Sequence, residues 1–404
     1  MFEILNSHKL SEALIQESQK SLHKFFSRSD IGFVALPDRN NLWEQSFSIG
    51  HDLRRKFSQM VVVGIGGSSL GARVLAQVSG AQNIHFVDNV DAVEFERLFD
   101  RLGDLKKVCW VFISKSGNTI ETLLALDFIS QKYSENSISL FKNAAVISEN
   151  RDNTLSNWAR TNGVTQAEVP LDVGGRFSVL SPVGLVPAAF IGMDLKALQK
   201  GASEARKNKT LIENLMAHFM WSFQNEKWIT LFWFYTSRAH SLGMWLNQLW
   251  AESLGKKTNR QGSGAPRAST PMWAIGAIDQ HSVLQQVMEG TKDKFVVFHR
   301  FEDAEGGSLM LKQAQFAETQ PLRGKSMGAL LRAEAIATEE ALRASGVPTV
   351  CIKTKVLDEE SLAYYFMMFE LIVAGLGEWM DINAFDQPGV ELGKRLAKDI
   401  LTKG

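Results

Sequence analysis

A chain of 404 residues is too long for one ordinary hydrophobic core and long enough for two domains. Hydrophobic residues make up 45% and charged residues 22%, and 44 basic side chains balance 44 acidic ones. That composition excludes a disordered chain, and its zero net charge gives no general attraction to nucleic acid or an anionic membrane.

The first 20 residues are amphipathic and charged, without the continuous apolar core of a signal peptide. From Met60 onward, short apolar runs alternate with helical patterns. MVVVGIG, NIHFVD, KVCWVFIS and AAVIS are expected as buried parallel strands covered by helices on both faces. A polar, Lys-rich stretch over 192–209 interrupts the pattern, which WITLFWFY, PMWAIGA, KFVVFHR and PTVCIK then resume. The expected fold is α/β, with two doubly wound parallel-sheet units in tandem. The first unit would span 1–200 with an N-terminal helical segment, and the second 201–404 with C-terminal helices. The basic stretch 256–270 is the longest irregular segment and a candidate mobile loop near a site. The run 362–380 could pass for a membrane helix, but it carries Glu370 and falls short of about 20 clean apolar residues. A helix buried in protein is expected there. The two cysteines, Cys109 and Cys351, sit inside strand-like apolar runs, as thiols do in a reducing compartment such as the cytoplasm.

Six segments bear polar chemistry. Gly64-Ile65-Gly66-Gly67-Ser68-Ser69 follows a strand and opens a helix, where free amides attract anions. Ser69 breaks a dinucleotide fingerprint, and Ala72-Arg73 after Gly71 breaks a Walker loop, so a single phosphate suits the turn better. A ligand-free tight turn is the alternative. Ser114-Lys115-Ser116-Gly117-Asn118-Thr119 also ends a strand. Its hydroxyls and amides are suited to phosphate oxygens, although Ser/Thr clusters also serve as plain helix caps. Two such loops at neighbouring strand ends would converge on one sheet edge, which favours phosphate.

Arg176 follows Gly174 and Gly175 and is either a stabiliser of negative charge on a reacting oxygen or a surface arginine. Gln248 and Glu252, four apart, share a helix face; a carboxylate beside an amide can move a proton, though such pairs are also common on solvated faces. His281, in Asp279-Gln280-His281-Ser282, lies at a loop-to-helix start with polar neighbours. No His or Cys cluster accompanies it, so neither zinc nor another metal is expected. Near the C-terminus, Pro388 suits a first helical position capped by Gln387, with Lys394 two turns on; an exposed helix lysine is the plain alternative.

Taken together, GIGGSSLG, SKSGNTIET, DVGGRFS, the QxxxES(x)GK stretch, DQHS and FDQPGVELGK resemble the phosphoglucose isomerase family, in that family's order, over roughly Val61 to Lys398. The resemblance implies two sugar-isomerase (SIS-type) domains and an aldose–ketose isomerase of glycolysis and gluconeogenesis that needs no cofactor. The substrate implied is a sugar phosphate, glucose 6-phosphate interconverting with fructose 6-phosphate through a cis-enediolate. It also implies that Ser114, Lys115, Ser116 and Thr119 hold the phosphate, while Gly67, Ser68, Gly175, Gln248 and Gln387 approach the sugar. Glu252 matches the family's base and Arg176 the stabiliser of the enediolate. His281 and Lys394 match the residues that assist ring opening. A homodimer is implied in which the histidine comes from the neighbouring subunit. Two departures are local: Leu254 replaces the polar residue usual between ES and GK, and the basic loop that follows is unusual. The chain is also short for the family, so peripheral arms are expected to be trimmed. Three rivals are a non-catalytic phosphosugar-binding regulator on the same fold, a nicotinamide-dependent dehydrogenase, and an isomerase that also accepts mannose 6-phosphate. The first has no use for Glu252, His281, Arg176 and Lys394 together. Ser69 counts against the second.

Overall fold

The computed structural model describes residues 2–5 and 8–403; within the last helix the side chains at 391, 394, 398, 402 and 403 lie outside the description. Among the described residues ten strands form two sheets. They are β1 (Glu3–Leu5), β2 (Gln59–Val63), β3 (Ile84–Val87), β4 (Val108–Ile113), β5 (Ala144–Glu149), β6 (Thr165–Val169), β7 (Ile229–Phe234), β8 (Thr270–Ile275), β9 (Lys294–Phe301) and β10 (Thr349–Thr354).

One sheet has the order β3-β2-β4-β5-β6 and is parallel throughout. The other has the order β1-β10-β9-β7-β8, parallel except that β1 runs antiparallel to β10. If the strands of each half are counted from its own first strand, β2 and β7, the first sheet reads 2-1-3-4-5 and the second reads 2-1-3-4, with β1 added at its far edge. The expected tandem of doubly wound units is therefore present as a repeat of topology. In each half the strand order reverses beside the first strand, and ligands of such sheets lodge at the carboxyl ends of strands at that point. In the first half the reversal falls between β2 and β4, whose following loops are Gly64–Ser69 and Ser114–Thr119.

All eight expected strand runs are strands. Two more escaped the pattern. β6 (TQAEV) alternates polar and apolar because it is an edge strand, and β1 is only three residues long. β1 also joins the second sheet although it comes first in sequence, with Glu3 opposite Lys353.

Helices bind the halves together. The polar stretch over 192–209 forms a helix, Leu195–Lys207, that turns Leu195, Leu198, Ala202 and Ala205 inward onto the long helix Glu359–Trp379. Among the described residues, Glu359–Trp379 is the one helix long and apolar enough to cross a membrane, and 89% of its apolar window is buried inside the protein. Glu370 at its centre is fully buried, and neither carboxyl oxygen has a hydrogen-bond partner. Burial pushes its pKa well above the ordinary carboxylate range, so it is carried neutral through the core. Cys109 and Cys351 are buried free thiols, whose pKa burial likewise raises.

Candidate active site

The Ser114 loop begins where β4 ends. Thr119 stands at the N-cap of helix Ile120–Glu135, but its side chain makes no capping bond. Its hydroxyl instead meets Ser114 Oγ at 2.8 Å, and Ser114 Oγ also accepts from Gly117 N at 3.1 Å. The plain-cap alternative is thus not realised: the two hydroxyls face each other across the loop. Lys115 Nζ lies 3.3 Å from the buried carboxylate of Glu149, which Arg151 also holds at 2.7 Å. Glu149 ends β5 and fixes the height of the lysine over the loop. Ser116 is exposed, and its hydroxyl accepts from Asn118 N at 3.3 Å.

The glycine turn after β2 touches two other predicted segments. A Cβ on Gly67 would stand 2.3 Å from the carbonyl oxygen of Gly175 and 2.9 Å from Arg176 N. One on Gly66, whose φ is +61°, would stand 2.8 Å from Gln248 Nε2. Glycine is therefore required there for close approach. Ser68, half-buried, closes this short turn.

Arg176 is not a surface arginine. It is 4% exposed and donates to five acceptors. Nε reaches Ser253 Oγ at 2.7 Å. Nη1 reaches Gln387 Oε1 at 2.9 Å and Glu252 Oε2 at 3.2 Å. Nη2 reaches the carbonyls of Ala384 at 2.5 Å and Asp386 at 3.1 Å. Burial lowers its pKa, against the pull of Glu252 and Asp386, but a guanidinium stays charged in protein. Glu252 and Ser253 lie near the end of helix His240–Leu254, and Gln248 one turn earlier donates Nε2 to Glu252 Oε1 at 3.1 Å. Gln248 Oε1 is buried without a hydrogen-bond partner, an acceptor left for a hydroxyl that enters the site.

The structure thus brings Gly67, Gly175, Arg176, Gln248, Glu252 and Gln387 into one cluster between the halves. The phosphate-type loop of Ser114 lies on the strand next to the glycine turn. His281 is not brought in. It is exposed at the end of the short helix Ile278–His281, and among the described residues no hydrogen bond, ion pair or ring contact joins it to Arg176, Glu252, Gln248 or Gln387. Lys394 falls in helix Glu391–Lys403, and its side chain lies outside the described residues. Among the described residues no group of three or more His, Cys, Asp or Glu side chains is placed to hold a metal ion.

Sequence reasoning missed four contributors. Ser253, beside Glu252, stood in plain view as a hydroxyl on the same helical turn. Glu149 had only the weak signal of a carboxylate that ends an apolar run. Asp386 and Ala384 act through carbonyl oxygens, which leave no trace in residue type.

Comparison with known proteins identifies the family. A family model described as phosphoglucose isomerase matches residues 48–404. A probable glucose-6-phosphate isomerase of Methanococcus maripaludis is 32% identical over 87% of this chain and 80% of its own. A glucose-6-phosphate isomerase of Thermus thermophilus is 35% identical over 84% and 82%. Among solved structures, a hypothetical protein of Thermus thermophilus superposes with a TM-score of 0.88 at 30% identity and covers 96% of both chains.

Proposed function

Because the chain belongs to the phosphoglucose isomerase family, we infer that it interconverts glucose 6-phosphate and fructose 6-phosphate. The observation that carries this reading is the shared contact of Arg176 with Glu252, Gln248's carboxylate partner, at the meeting of the two halves.

Isomerisation moves one proton between adjacent carbons. A base takes the proton from C2, and the electron pair forms the C1–C2 double bond of an enediolate while the C1 carbonyl pair moves onto O1. The O2 hydroxyl proton passes to O1, and the base returns its proton at C1 as the carbonyl forms at C2. Glu252 is the base in this reading, since it is a carboxylate held at both oxygens, by Gln248 and by Arg176. Arg176 supplies the fixed cation beside which the enediolate oxygen develops charge. Its position is set before substrate arrives, because four of its five bonds go to neutral acceptors. Ser114, Lys115, Ser116 and Thr119 take the phosphate, and Gly67, Ser68 and Gly175 let the sugar lie close to the backbone. Gln248 and Gln387 orient hydroxyls. His281 and Lys394 open the ring, with His281 supplied by the second subunit of a homodimer; that no contact among the described residues joins it to Glu252 within one chain supports that placement. We also propose a cytoplasmic location and a division of the chain into sugar-isomerase units near residue 200.

A coupled assay with glucose 6-phosphate tests the reading, run beside mannose 6-phosphate. Turnover of the first is expected. Binding of sugar phosphates without turnover would replace it with a phosphosugar-sensing role.

A further inference from the structure

Three of the five acceptors of Arg176 belong to one strap, Ala384–Gln387, which leads from the long core helix towards helix Glu391–Lys403. The other side of that strap is held by Lys256, a residue with no role in the reading above. Its ammonium donates to the carbonyl of Asp386 and lies 3.0 Å from Asp386 Oδ1. The side chain of Lys256 is only 7% exposed, against 51% for Asp386. Asn383 Nδ2 donates to the second carboxylate oxygen at 2.9 Å.

One carbonyl, that of Asp386, therefore accepts from both Arg176 and Lys256. Two buried cations on one oxygen repel each other, and each loses hydration. Burial and Arg176 both pull the Lys256 pKa down, while Asp386 and Glu252 act against them. A tie between loop and strap alone would not need a buried charge, because a neutral donor can bond a carbonyl. What the charge adds is balance: Arg176 and Lys256 stand against Glu252 and Asp386, two and two.

We propose that Lys256 is a positioning residue of this site, which neutralises Asp386 so that the charge of Arg176 stays on Glu252. Without Lys256, two carboxylates compete for one guanidinium, and the one on the strap is already joined to it through its own carbonyl. Arg176 then turns towards Asp386, and both the base and the oxyanion cation lose their register. The inference rests on the isomerase reading.

Substitution K256Q keeps a donor for the Asp386 carbonyl and removes the charge. With glucose 6-phosphate, kcat should fall about ten- to a hundredfold, the scale of a misplaced catalytic group, with KM changed less than about threefold. The double variant K256Q/D386N restores the balance and should recover most of that loss. Thermal unfolding of each variant separates the effect from misfolding. If K256Q alone fails to fold, the double variant decides: near-normal kcat supports the proposal, and a loss equal to that expected of K256Q overturns it. Normal kcat in K256Q, a rise confined to KM, or no recovery in the double variant would each overturn it. Wild-type protein inactive on glucose 6-phosphate would overturn the isomerase reading and this inference together; an active wild type with one of those outcomes overturns this inference alone.

Discussion

Glu252 is only partly buried, its side chain 33% exposed, and its two oxygens are occupied by an amide and a guanidinium. That arrangement aims the carboxylate without sealing it from a substrate. Glu252→Gln keeps the size and one acceptor but has no site for the proton. Turnover should drop at least about a hundredfold, as is usual for a general base, while inhibition by a non-reacting sugar phosphate is largely kept. Exchange of the C2 hydrogen with solvent should fall in parallel. Exchange at the normal rate would place the base elsewhere. The pair Gln248/Glu252 was legible in the sequence because spacing by four fixes a helix face. The contact with Arg176 was not, since 76 residues separate the partners and only tertiary packing joins them.

At the scale of elements, the strand-end loops were the most readable part of the chain. A strand pattern followed by Gly, Ser and Thr specifies both the turn and the free amides. In the proposed reading the Ser114–Thr119 pair cradles phosphate, on a loop separate from Glu252. Replacing both with Ala should mainly raise KM and weaken inhibition by other sugar phosphates, with kcat changed much less. Lost turnover at saturation with unchanged affinity would assign the loop another task. The basic stretch 256–270 was expected to be irregular, and it is, but its clamp was invisible. Arg260 Nη1 donates to Glu378 Oε2 at 2.6 Å, and Arg28 and Lys24 reach the same carboxylate at 2.9 and 3.2 Å. Burial by itself would raise the Glu378 pKa, but hydrogen bonds from Arg260, Arg28 and Lys24 outweigh it and hold the value at about 2 against an ordinary 4.5. A depressed folded value means the stabilisation is complete above the ordinary value and is lost as pH falls from there towards the folded one. Denaturant titrations should therefore show Glu378→Gln less stable than wild type by about 3 kcal/mol at pH 7, the cost of breaking a buried pair. The gap should narrow between about pH 4.5 and 2. A gap that is the same at both ends would mean the carboxylate is not held charged by its partners.

For the whole molecule, the sequence told of two repeated halves but not of how they are fastened, because the fastening uses helices whose inward faces carry mostly small and aliphatic residues. The proposed homodimer has a direct test. Glu252→Gln and His281→Ala, each inactive alone, should rescue each other when unfolded together and refolded. Random pairing makes about half the dimers mixed, each with one intact site of two, so about a quarter of normal activity returns. Activity that stays at the sum of the two variants after verified subunit exchange would put His281 in its own subunit's site or outside any. The N-terminal strand carries a consequence for how the chain is made. Glu3 pairs with Lys353, so β1 leaves the ribosome 350 residues before its partner. At about 5–20 residues per second, Phe2 and its neighbours wait some tens of seconds for a place to dock. The first sheet, all of whose strands lie between 59 and 169, can close in that interval without them. Until β1 arrives, β10 is an open edge, and an open edge invites pairing with another chain. A strand made about 350 residues before its partner is thus what closes that edge of the second sheet.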